Sequence, residues 1–211
     1  QFLIKIILNI FSRMFLIKIS LILKPFFELI FRGDRFVDPI NNKSYSYFFP
    51  YGYNKLRKNA LSPGTLSLER HRLLWIFLEK ETDFFNTENK ILHIAPEQCF
   101  YKSFKKNFES YTTCDLNSPI AEIKADVCNL PFDENEFDFV LCNHVLEHVY
   151  DDERAMKEIY RVLKHEGKAI LQVPLDNALE KTIDGRDILD QNLRNKLFGQ
   201  YDHLRLSLIH I

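Results

Sequence analysis

The chain is poor in the features that announce several common functions. It has four cysteines, Cys99, Cys114, Cys128 and Cys142, spaced 14 or 15 residues apart, and no C-x-x-C pair. That spacing argues against a structural zinc knuckle and for reduced core thiols. Glycine is scarce, six in 211 residues, and G-x-G-x-x-G occurs nowhere, which argues against an NAD-type dinucleotide fold. The formal net charge of -1 gives no electrostatic case for nucleic acid. Long apolar runs are missing even where apolar residues crowd. Within residues 1–31, Lys5, Arg13, Lys18, Lys24 and Glu28 leave no charge-free run beyond Ile6–Ser12, short of the roughly 20 residues a spanning helix needs.

What is present divides the chain. Residues 1–31 read as an amphipathic apolar helix whose stripe of Lys5, Asn9, Ser12 and Arg13 suits a membrane interface. Packing against a protein surface is the alternative. Residues 32–66 hold the turn chemistry, Gly33-Asp34, Asp38-Pro39, Asn41-Asn42 and Ser62-Pro63-Gly64, and read as an irregular module. From Ser67, taken as an N-cap, Leu68, His71, Leu74, Trp75 and Leu78 recur at helical spacing. Thereafter strands and helices alternate. Strands are expected at 90–95, 111–116, 137–142 and 168–173, and helices at 100–108 and 152–163. Such alternation implies βαβ units, a parallel sheet with helices on its faces, and a ligand beyond the carboxyl ends of the strands.

Those strand ends carry candidate ligand groups. Asp115 ends one strand and could accept both hydroxyls of a ribose; an Asp opening a turn is the plainer reading. Asp126, in K-A-D-V-C-N-L-P-F, could accept from an exocyclic amine while the Val127 N–H serves a ring nitrogen. Asn143 and His144 follow the most apolar strand. The string N-H-V-L-E-H (143–148) also matches H-x-x-E-H, which on a long helix would bind zinc. Its position directly after a buried strand argues against that, and no metal site is expected.

Four segments, I-L-H-I-A-P-E, T-T-C-D-L, the run from K-A-D-V-C-N-L-P-F to L-E-H-V, and E-I-Y-R-V-L-K-H-E-G-K-A-I-L-Q-V-P, resemble class I S-adenosylmethionine-dependent methyltransferases of the type 11 kind. The resemblance runs over 91–174 and extends in weaker form over 32–205. It implies an α/β Rossmann-like doubly wound sheet and S-adenosylmethionine held by His93, Ala95, Pro96, Glu97, Asp115, Leu116, Asp126, Val127, Asn143 and His144. Glu147 and His148 would open the following helix. Ala95, Glu97 and Cys99 stand where glycines are common, a version found in a bacterial subgroup with H-I-A-P-E. In D-P-I-N and S-P-G-T, Asp38, Asn41, Ser62 and Thr65 stand where subgroup members carry cysteine pairs, a degenerate zinc knob. The domain is expected over 67–205 with its core at 90–175. The start at Gln1 and the tail 206–211 suggest a fragment with a non-native end and its last sheet strands missing.

The function this implies is methyl transfer to an O, N or C nucleophile of a small molecule, lipid or sugar. His144 or His203 would be the base for a hydroxyl acceptor. The protein would be cytoplasmic, held at the inner membrane face through 1–31. The alternative is a non-catalytic membrane-associated scaffold of the same fold.

Overall fold

The structure is a computed structural model; it describes residues 13–52, 56–175 and 182–206, with side chains before Ile22 described only at Ile19. The chain forms two compact units, 1–83 and 84–211.

The first unit opens with helix α1 (Arg13–Ile30). The part of the expected 1–31 helix before Arg13 lies outside the described residues. No described helix is long and apolar enough to cross a membrane. Phe27 and Phe31 of this segment pack edge-on against Phe49, at centroid distances of 5.5 and 4.9 Å. Glu28 pairs with Lys43 at 2.6 Å. Ile22, Phe26, Leu29 and Ile30, at spacings of four, three and one, are exposed in one stripe. Two antiparallel pairs follow, β1 (Arg32–Asp38) with β2 (Lys43–Tyr45) and β3 (Phe49–Tyr51) with β4 (Arg57–Leu61).

The turns 38–41 and 62–65 meet, and hydrogen bonds occupy the four positions of the degenerate knob. Thr65 Oγ1 donates to the fully buried Asp38 Oδ2 at 2.5 Å. Asp38 Oδ1 accepts from Ile40 N–H, and Ser62 Oγ accepts from Gly64 and Thr65 N–H. Asn41 Nδ2 donates to Tyr45 Oη at 2.8 Å, and burial pushes the Tyr45 phenol up to about 12. Gly64 is required here, because a Cβ would stand 1.8 Å from Tyr45 Oη.

Ser67 does not cap the next helix. Its hydroxyl lies 2.7 Å from Thr65 Oγ1, inside the knob. Helix α2 (Glu69–Glu81) starts after Leu68, whose N–H is taken by His71 Nδ1 at 3.0 Å. Arg57 forks onto Glu69, and Arg72 lies over the Phe48 ring. These ties place α2 in the first unit, so the second unit begins at Phe84 where the sequence suggested Ser67.

The second unit is a five-stranded, wholly parallel sheet. It comprises β5 (Ile91–Ile94), β6 (Tyr111–Asp115), β7 (Ile123–Lys124), β8 (Phe137–Asn143) and β9 (Leu163–Gln172), in the order β7-β6-β5-β8-β9. Alternation decides which side chain faces which way. Leu92 and Ile94 of β5 join Cys114, Val140 and Cys142 under helix α4 (Asp152–Val162), which contributes Ala155, Ile159 and Val162. On the other face Phe84 meets Phe104 and Phe139, each at 5.1 Å, and Phe100 stacks on Phe104 of helix α3 (Gln98–Asn107). Asp151 caps α4, accepting from Arg154 N–H at 3.0 Å. Beyond the sheet lie β10 (Ile183–Asp184), helix α5 (Gln191–Phe198) and β11 (Arg205–Leu206), with β10 and β11 paired antiparallel.

Candidate functional site

The strand order reverses between β5 and β8, which lie side by side although β6 and β7 intervene in the chain. A crevice opens at the carboxyl ends of strands that diverge in this way. A cavity of about 660 Å³ lies there. It is lined by Ile94 and Ala95 after β5, Asp115, Leu116 and Asn117 after β6, Ala125 to Cys128 after β7, and His144 and Val145 after β8. His148 to Asp151 and Asp202 complete the wall.

Two residues at this switch hold left-handed backbone without being glycine, Ala95 (φ 51°) and His144 (φ 55°). Such conformations cost on the order of 1–2 kcal/mol per residue, so their surroundings must fix them. Ala95 N–H donates to the Cys114 carbonyl at 2.9 Å, and His144 N–H to the Gln172 carbonyl at 2.8 Å.

Asp115 both opens a turn and faces the cavity. Its Oδ1 accepts from Asn117 N–H (2.7 Å) and Ser118 N–H (2.5 Å), leaving Oδ2 without a partner among the described residues. Asp126 Oδ1 accepts from Cys128 N–H at 2.9 Å. The Val127 N–H makes no hydrogen bond among the described residues.

Of the expected site residues, Ala95, Leu116, Asp115, Asp126, Val127 and His144 line the cavity; His93, Pro96, Glu97, Asn143 and His203 do not. His93 is fully buried on the aromatic face of the sheet, because alternation along β5 points it away from Ile94's side. Its Nδ1 meets Tyr111 Oη at 2.8 Å and its Nε2 meets Glu97 Oε2. The Nε2–H tautomer satisfies both, with the Tyr111 O–H donating to Nδ1. Burial and the Glu97 charge push the Tyr111 phenol up, keeping it a donor. Glu97 Oε1 in turn accepts from Asn143 Nδ2 at 3.2 Å. These residues tie the ends of β5 and β8 together beneath the loop.

The string 143–148 forms a three-residue 3-10 turn, Leu146–His148, and not the first turn of an α-helix. Glu147 therefore meets no helix dipole; it is buried and accepts from His144 Nδ1 at 3.1 Å. A returning segment straps this turn. Leu204 N–H donates to the Glu147 carbonyl at 2.7 Å. The buried Arg205 guanidinium donates to the carbonyls of Leu146 (2.7 Å), Val149 (2.6 Å) and Tyr150 (3.1 Å) and pairs with Asp152 (3.2 Å). Tyr150, Asp151 and Asp202 were not singled out from sequence; their signal was Y-D-D after L-E-H and Y-D-H near the end.

Comparison with known proteins now defines the class. The family described as Methyltransferase domain matches residues 89–171. That match lies within the second unit, which has a class I methyltransferase-like fold. The chain is 47% identical over 60 residues to an uncharacterised protein of Methanocaldococcus jannaschii (28% of this chain, 26% of that protein). It is 46% identical over 52 residues to the 2-phytyl-1,4-naphtoquinone methyltransferase of Nostoc punctiforme (25% and 23%). It is 43% identical over 53 residues to the demethylmenaquinone methyltransferase of Staphylococcus carnosus (25% and 22%). The chain thus spans about a quarter of the length of these curated relatives.

Proposed function

We propose that this protein transfers a methyl group from S-adenosylmethionine to an O, N or C nucleophile of a small molecule. The observation that carries the reading is the set of unspent hydrogen-bonding groups around the cavity at the β5/β8 switch. Asp115 Oδ2 is free to accept from ribose hydroxyls, Asp126 from the adenine amine, and the Val127 N–H is free to serve an adenine ring nitrogen. The glycine-poor loop fits the same ligand, since Ala95 adopts the left-handed turn that glycine usually supplies there and adds only a methyl to the cavity wall.

When bound, the cofactor would supply a methyl on a sulfonium sulfur. This chain's own residues bind, orient and exclude water, because in-line displacement depends mainly on positioning. His144 lines the cavity with its Nδ1 against Glu147. For a hydroxyl acceptor the pair would receive the proton, Glu147 stabilising the imidazolium. His203, behind the wall, is not placed to do so.

The exposed apolar stripe of α1 supports a membrane-surface location for the first unit. It favours an acceptor drawn from the lipid phase, as a quinol would be; the names of three quinone methyltransferases among the relatives point the same way.

Calorimetry with S-adenosylhomocysteine tests the reading. Asp115→Asn keeps an oxygen for the turn amides and removes the charge, so folding survives. Losing a charged hydrogen-bond partner costs about 1.5–3 kcal/mol, so affinity should fall roughly tenfold or more, and likewise for Asp126→Asn. Unchanged affinity in both variants, or no binding by the folded wild type, would favour the non-catalytic scaffold.

A further inference from the structure

Next in sequence to the cavity-lining His148 and Asp202, two buried polar atoms have no partner among the described residues. Glu147 is 1% exposed; its Oε1 accepts from His144, and its Oε2 has nothing. His203 is 4% exposed, and its Nδ1 has nothing. Neither serves the other. An orphaned carboxylate oxygen in the interior costs several times what a satisfied one does. Two orphans side by side, one anionic and one a lone-pair donor, call for a shared cation.

A third donor completes the set. The His148 and His203 rings meet edge to face, with centroids 4.8 Å apart. His148 sets its Nδ1 against the Asp202 carbonyl at 3.3 Å, which fixes that nitrogen as N–H and leaves Nε2 as the lone-pair atom. One ligand atom from each of Glu147, His148 and His203 lies within 4.8 Å of the others. A tetrahedral ion about 2.0–2.2 Å from each would need them about 3.3–3.6 Å apart, which modest side-chain rotation supplies.

We propose that Glu147, His148 and His203 bind one divalent transition-metal ion of the zinc type, with an open coordination position facing the cavity. Two imidazoles and a carboxylate are the donor set of open zinc sites. The strap holds the donors together, since the Leu204–Glu147 backbone bond fixes His203 against the turn that carries the other two. The Arg205 charge nearby is already committed to carbonyls and Asp152. The site differs from the zinc motif latent in H-x-x-E-H, because His144 is spent on Glu147.

The open position faces the cavity because His148 and Asp202 line it. A metal there would hold a hydroxyl of the acceptor and lower its pKa, making the oxygen the nucleophile. That role rests on the proposed methyl transfer; metal binding itself does not. The test is equilibrium dialysis of the full chain against Zn²⁺ with elemental analysis, repeated with Co²⁺ for its visible ligand-field bands. One ion per chain is expected, with intense bands of a four-coordinate site and no thiolate charge-transfer band. The half-exposed His148→Ala should weaken binding at least tenfold, and Glu147→Gln should do so with the fold kept, as verified by circular dichroism. Absence of stoichiometric metal in the folded wild type, unchanged affinity in both variants, or a thiolate band would overturn the proposal. Metal binding without S-adenosylhomocysteine binding would leave the site standing and sink the methyl-transfer reading.

Discussion

Replacing Arg205 by methionine isolates the strap. The guanidinium is 5% exposed and makes three charge-assisted bonds to the carbonyls of Leu146, Val149 and Tyr150 besides its pair with Asp152. Methionine retains most of the stem's apolar volume, so packing loss is small. The bond to Leu146 is the fully buried one and is worth about 1.5–3 kcal/mol. The bonds to Val149 and Tyr150 are partly solvated, and water can replace them in part, so each adds about 0.5–1 kcal/mol. The sum, about 2.5–5 kcal/mol, overlaps the cost of removing one partner of a buried pair. It corresponds to roughly two to four powers of ten in the folded-to-unfolded ratio. Arg205→Lys keeps the charge but not the fork, and should lose about half as much. Urea unfolding followed by far-ultraviolet dichroism and by thiol titration gives the difference. Cys114 and Cys142 suit the second probe, since both are buried in this unit; burial pushes the Cys114 thiol up to about 12 and Cys142 higher still. A methionine variant within about 1 kcal/mol of wild type, at equal denaturant slope, would refute the reasoning.

Three other outcomes are expected. Gly64→Ala should destabilise the first unit by about 1–3 kcal/mol, because the new Cβ meets Tyr45 Oη at 1.8 Å; the lone Trp75 in α2 reports this by fluorescence, and an unchanged midpoint would contradict it. Glu158 accepts from Arg161 and from Leu130 N–H, and its carboxyl is held below the usual range chiefly by Arg161. A depressed carboxylate stabilises above its unfolded value and loses that contribution as pH falls through the folded value. The stability gap between wild type and Glu158→Gln should therefore be present at about pH 6 and close by about pH 3; a gap that widens on acidification would reverse the assignment. Finally, the chain should float with anionic vesicles, and Phe26→Asp with Leu29→Asp in the exposed stripe of α1 should abolish it. Equal flotation of the two would remove the membrane reading.

The parallel sheet was legible because its central strands are near-continuous apolar runs. I-L-H-I and F-D-F-V-L-C differ from the amphipathic periods of α3 and α4 on either side. The two-residue strands β7, β10 and β11 were not, since so short a strand has no period and is specified by its partner. Helix α5 left a signal that went unused: Asp190 caps its start, and Gly199, at φ 79°, closes it. Asp115, Asp126 and His144, singled out from sequence as strand-end groups, line one wall of the cavity. Its other wall was not legible, because His148 and Asp202 lie 54 residues apart and are brought together where a backbone and guanidinium clasp closes on the 146–150 turn. His93 entered the cofactor set through the family resemblance; it lies inside the expected strand, β5, where alternation turns its side chain to the face opposite the cavity.

That clasp also sets an order of manufacture. A ribosome adding about 5–20 residues per second reaches Arg205 about 3–12 s after Leu146. Through that interval Ala95, Asp115 and Asp126 have already been synthesised, while the carbonyls of Leu146, Val149 and Tyr150 wait for their cation. A nascent chain would thus carry the residues of one cavity wall before it could clasp the other. Translation stalled between the two points would leave a polypeptide whose 146–150 turn stays unclasped.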